Sequence, residues 1–116
     1  MWVFTTQGFY SINRTPDGER LQLRARVRED IDKFREKYCP SLGETIELGG
    51  TDYRYRAEAS ERALAAAMVL VVTDVNYQDF KNAVEDRRLG RHNAYLGVWK
   101  ILRQYLELVE EADRDD

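Results

Sequence analysis

Residues 20–28 read R-L-Q-L-R-A-R-V-R, and this stretch constrains the fold more than any other. Leu21, Leu23, Ala25 and Val27 alternate with Gln22, Arg24, Arg26 and Arg28 in a strict period of two. That is the signature of a strand with one face in the core and the other in water. The wet face then carries a row of guanidinium groups. Residues 53–57, Y-R-Y-R-A, repeat the pattern, so the row is expected to be two strands wide, with Arg54 and Arg56 joining Arg24, Arg26 and Arg28. By the same alternation Tyr53 and Tyr55 belong to the opposite face as core aromatics. That placement weighs against a likeness to sheet-based RNA binders, whose exposed aromatics stack on bases.

The remaining elements follow from their spacing. Residues 1–12 are rich in aromatic and β-branched types and are expected as one strand, with Gly8 marking a bulge or a close backbone approach. N-R-T-P-D-G at 13–18 is a turn into the Leu/Arg strand. Ile31, Phe34 and Tyr38 step at helical intervals behind the acids Glu29, Asp30 and Asp32, predicting a helix over 29–38. A short strand at 44–48, a tight turn at Gly49-Gly50 and a returning strand at 53–59 come next. Ser60 is the expected cap of a second helix, whose apolar end at 69–72 calls for thorough burial. Asp74 or Asn76 is expected to cap a third helix containing Phe80, and a long last helix is expected over 91–111.

Two strand–strand–helix units most simply make a four-stranded antiparallel sheet with helices on one face. The expected class is therefore α+β, a permuted ferredoxin-like order with its last strand moved to the front, followed by the long C-terminal helix. A chain of 116 residues suits one domain, here 1–112, with a short acidic tail at 113–116. Such a chain buries roughly two-thirds of its unfolded surface, so it folds without a disulfide or metal.

Charge narrows the partners. The net charge of −3 opposes bulk attraction to nucleic acid, yet residues 20–28 hold four arginines and no acid. Arginine suits bidentate contact with phosphate or carboxylate. Cys39 is alone, so no disulfide or thiolate metal cluster is expected within the chain. No signal peptide or membrane span is read in the sequence, and the expected address is the cytoplasm.

Five segments together resemble a family of short, uncharacterised bacterial proteins: M-W-V-F-T-T-Q-G-F-Y-S at the start, L-R-A-R-V-R-E-D, G-T-D-Y-R-Y-R, N-Y-Q-D-F-K-N-A-V and A-Y-L-G-V-W. The resemblance implies a compact intracellular domain. It brings no substrate, cofactor or catalytic residue to carry over.

Three features compete for a functional role. Arg24, Arg26, Arg28, Arg54 and Arg56 form the first, read as a fork array for an anionic ligand or nucleic acid. The competing reading is a solvated face paired with local acids, or a row covered by the acidic tail or a neighbouring subunit. The second is the last helix. Tyr95, Trp99, Leu102, Leu106 and Val109 make one stripe, and Val98, Ile101, Tyr105 and Leu108 make another beside it. The second stripe is either a contact for a partner or second subunit, or it is buried within the chain. The third pairs Tyr77 with Lys81 near a helix start as a minor anion site, against plain capping. No catalytic residue or metal site is assigned, since His92 and Cys39 are each the only one of their type. The leading expectation is a binding domain for an anionic ligand; a protein-interaction module, as a homodimer through the last helix, is the alternative, and an enzyme ranks third.

Overall fold

The computed structural model describes residues 1–85 and 90–114. Its elements are β1 (Trp2–Phe4), β2 (Phe9–Arg14), β3 (Leu21–Ala25), α1 (Arg28–Lys37), β4 (Ile46–Glu47), β5 (Tyr55–Ala59), α2 (Glu61–Thr73), α3 (Phe80–Ala83) and α4 (Arg91–Arg114). The chain is mixed α+β and divides into two compact units, Met1–Asn76 and Tyr77–Asp116. The last two residues of the expected tail, 115 and 116, lie outside the described residues; Asp113 and Arg114 are helical.

The first unit is an antiparallel sheet of five strands in the order β1-β2-β3-β5-β4. Five strands replace the expected four because residues 1–12 are not one strand. The chain reverses between Phe4 and Phe9, where the Thr5 N–H donates to Gly8 O at 2.9 Å and the Thr5 hydroxyl accepts the Gly8 N–H at 3.0 Å. Gly8 is a close approach: a Cβ there would meet the Tyr10 hydroxyl at 2.5 Å and the Asp30 carboxyl carbon at 3.0 Å. A hairpin of three-residue and six-residue arms therefore stands where a bulged strand was expected.

Alternation decides the two faces. Val3, Tyr10, Ile12, Leu21, Leu23, Ala25, Tyr55, Ala57 and Ala59 line the inner face, and Leu23, Ala25 and Ala57 are fully buried there. On this face pack Ile31 and Phe34 of α1 and Leu64 and Ala67 of α2. Asp30, in the first turn of α1, is buried; its carboxylate accepts the Phe9 N–H at 3.4 Å and its backbone carbonyl accepts the Tyr10 hydroxyl at 3.0 Å. The first helical turn thus pins the β1–β2 hairpin, a role beyond the dipole expected of it.

Ser60 caps α2 as expected, its hydroxyl accepting the Ala63 N–H at 3.1 Å. The end of that helix departs from expectation. Met68 and Val71 continue the inward stripe, whereas Val69, Leu70 and Val72 fall on the other side and are exposed. Asp74 closes α2 rather than opening the next helix, and Asp79 caps α3 by accepting the Lys81 N–H at 3.1 Å.

The second unit joins α3 to α4 through aromatic rings. Phe80 stacks on Tyr95 at 5.8 Å with the planes 10° apart, and Lys81 Nζ sits 4.3 Å from the Trp99 ring centre. No helix among the described residues is long and apolar enough to cross a membrane.

Candidate functional site

Backbone register builds the site. Trp2 stands opposite Ser11, Ser11 opposite Arg24, Arg24 opposite Arg56, and Arg56 opposite Ile46. Directly opposed residues point to the same face, so these five side chains form one row across all five strands, on the side away from α1 and α2. At its centre two arginines face the same way across adjacent strands. Like charges in that register are unfavourable on their own.

Local contacts hold the pair without neutralising it. Arg24 donates to Ser11 Oγ at 2.7 Å, and its guanidinium carbon lies 4.5 Å from the Tyr53 ring centre. Its Nε is buried with no hydrogen-bond partner. The Arg56 Nε–H donates to Tyr53 O at 3.2 Å. Neither arginine meets a carboxylate among the described residues. Both remain half-buried, so the charges are partly shielded from water.

The other expected arginines behave differently. Arg26 also lies 4.5 Å from the Tyr53 ring, but it forks onto Asp52 through bonds of 3.0, 3.0 and 3.1 Å. Arg54 precedes β5, escapes its alternation and pairs with Glu47 at 2.8 Å. Arg28 is the first residue of α1 and faces Asp32 at 4.0 Å. Arg28 and Arg54 each lie 5.9 Å from the Tyr55 ring instead of joining the row. The expected row of five therefore contracts to Arg24 and Arg56, with Arg26 beside them.

Tyr53 corrects a second expectation. It is 7% exposed, as a core residue would be, but its ring is covered by Arg24 and Arg26 and not by the inner core. Tyr55 does pack against the core. The same face also carries aromatics that the single-strand reading of 1–12 concealed. Trp2, Phe4 and Phe9 share it: Trp2 meets Phe9 edge-on at 5.8 Å, and Phe4 lies 4.6 Å from Phe9. Arg26 sits 5.4 Å from the Phe9 ring and links the aromatics to the arginines. A hairpin placed at residues 5–8 reveals this parity, since Thr5 and Gly8 are turn-compatible types.

A second arginine cluster gives a contrast. An open groove of about 530 Å³ is lined by Arg28, Asp32, Arg35, Leu42, Glu44 and Thr45. Arg35 spends its donors on Gly43 O at 2.6 Å, Thr45 Oγ1 at 2.7 Å and Asp32 Oδ1 at 3.2 Å. That guanidinium closes the connection between α1 and β4 and keeps little for a ligand.

The remaining candidates belong to the second unit. Tyr77 packs on Phe80 at 5.9 Å and Lys81 on Trp99, which makes them the packing of a one-turn helix. Val98 is half-buried, while Ile101, Tyr105 and Leu108 are 66%, 65% and 65% exposed. No group of three or more His, Cys, Asp or Glu side chains suited to a metal occurs among the described residues.

Comparison with known proteins adds nothing to this geometry: no family model, no curated protein and no solved structure matches the chain.

Proposed function

We propose that this chain is an anion-binding domain that holds a phosphate-bearing ligand between Arg24 and Arg56. The reading rests on one observation, that two arginines directly opposed across β3 and β5 meet no carboxylate among the described residues. Arg26, Arg28, Arg35 and Arg54 each have an acid within 4.0 Å. A ligand carrying two negative oxygens offsets the repulsion between the pair and supplies the missing partners, through charge-assisted bonds stronger than neutral ones. The scaffold belongs to the same proposal. The spatial order β2-β3-β5-β4, with α1 between β3 and β4 in the chain and α2 after β5, supports a permuted ferredoxin-like sheet extended at one edge by β1.

Inorganic tripolyphosphate tests this reading by calorimetry at low and physiological salt. Binding weakens as salt rises and is lost in Arg24→Gln and in Arg56→Gln. Arg54→Gln, whose guanidinium is already held by Glu47, binds as the unaltered protein does. Equal loss in all three variants, or no binding at low salt, overturns the proposal.

Exposure on α4 favours a second reading, self-association. Its outer stripe is open at Ile101, Tyr105 and Leu108. Arg91, Lys100 and Arg103 all precede Glu107, Glu110, Glu111 and Asp113, with Arg114 the one base beyond them, an order that suits an antiparallel pair. Concentration-dependent mass, abolished by Ile101→Glu with Tyr105→Glu, supports it; a monomer at high concentration removes it.

A further inference from the structure

We infer that the anion held at Arg24 and Arg56 belongs to single-stranded nucleic acid, with a base stacked on Trp2. This rests on the anion-binding reading and adds to it the class of ligand. Trp2 is 64% exposed on β1, the edge strand, and stands on the same face and in the same cross-strand row as the arginine pair. Its edge-on contact with Phe9 leaves much of the indole to solvent. A free phosphate or a small acid has no use for that ring, whereas a nucleotide joins a flat π-face to a phosphate. Two strand spacings, roughly 10 Å, separate Trp2 from Arg24. That distance is short enough for a base on the indole and a nearby phosphate at the guanidiniums to belong to one strand.

The row favours an unpaired strand over a duplex. Bases stack on side chains only when they are splayed out of a helix, and proteins that hold single strands combine a basic track with aromatic platforms. Here the platform runs from Trp2 and Phe4 through Phe9 to Arg26, and the basic track is Arg24 with Arg56. Ser11 and Tyr53 form the floor beneath Arg24 and hold it in place for the backbone. Overall negative charge does not decide the matter, because Glu58, on the same face of β5 as Arg56, and Asp52 and Glu47 near it are already engaged with Arg20, Arg26 and Arg54.

The test separates stacking from charge. A labelled oligo(dT) and an abasic strand of the same length are titrated by fluorescence anisotropy at low salt. The unaltered protein binds oligo(dT) more tightly than the abasic strand by roughly five- to a hundredfold, the range of one stacked base. Trp2→Ala closes that gap, and Trp2→Phe keeps most of it. Trp2 is a surface residue, so both variants retain the unaltered circular dichroism spectrum. Equal affinity for the two strands overturns the inference and leaves the anion reading standing, as does a gap that survives Trp2→Ala or a preference for duplex. Failure of both strands and of tripolyphosphate overturns the two together.

Discussion

Leu23 and Arg24 are neighbours in β3, yet one is fully buried and the other lies half-buried opposite a second arginine. The inner face is held by burial: Leu23, Ala25, Ala57 and Ala59 meet Ile31, Phe34 and Leu64, and every side chain there gains from leaving water. The outer face has no such closure. Its central residues repel each other, one buried Nε lacks a partner, and an indole stands open at the edge. A face arranged against its own stability is better understood as prepared for something absent from the chain itself, since strain of this kind concentrates where proteins bind.

Paired substitutions on the two faces break this comparison most directly. Leu23→Ala removes a fully buried side chain and costs about 2–5 kcal/mol of unfolding free energy, so it reduces tripolyphosphate binding only as far as it unfolds the protein. Arg56→Gln has the opposite signature. It relieves a like-charge pair and raises stability by about 0.2–1 kcal/mol, while binding disappears. Urea midpoints at constant slope measure both. If Arg56→Gln destabilises by more than about 1 kcal/mol, the pair is structural and the two faces do not differ in kind.

The inner face was legible in the sequence because period-two alternation is local: Leu23 and Ala25 needed no knowledge of their partners. So was the start of α2, since Ser60 and the Ala63 N–H it accepts lie three residues apart. The outer face was half legible. Alternation correctly separated Arg24 from Leu23, but membership of a row depends on where strands begin. Arg54 and Arg28 keep the even parity in the sequence and lose it in space, because β5 starts at Tyr55 and α1 starts at Arg28. Tyr53 precedes β5 for the same reason and so escapes the rule that placed it inside. Trp2, Phe4 and Phe9 were hidden by a reversal of direction within an apolar run, where strand propensity stays high on both sides of the turn. In α2 the difference is of another kind. An apolar sequence on every side calls for burial on every side, but Ala63, Leu64, Ala67, Met68 and Val71 meet the core while Val69, Leu70 and Val72 are exposed.

The rim of the sheet unit gives the smallest effect and sharpens the contrast, since contacts there are neither buried nor open for a ligand. Lys37 Nζ and the Tyr38 hydroxyl both donate to Asp74 Oδ2 at 2.7 Å, tying the end of α1 to the end of α2. The hydrogen bond from Lys37, then that from Tyr38, holds the Asp74 carboxyl below the usual carboxylate range. The same carboxylate pushes the Lys37 ammonium up. Partial burial, then the bond to Asp74, pushes the Tyr38 phenol up. A lowered carboxyl contributes stability that is present above its unfolded value and fades as pH falls through the folded one. The raised phenol and ammonium contribute stability that is present below their unfolded values, about 10 and above, and fades as pH rises through the folded ones. The melting temperature of the unaltered protein therefore exceeds that of Asp74→Asn between about pH 5 and pH 9, and the two curves converge at both extremes. A difference that stays constant across that range would mean the tether acts through packing alone, and the rim would then belong with the inner face.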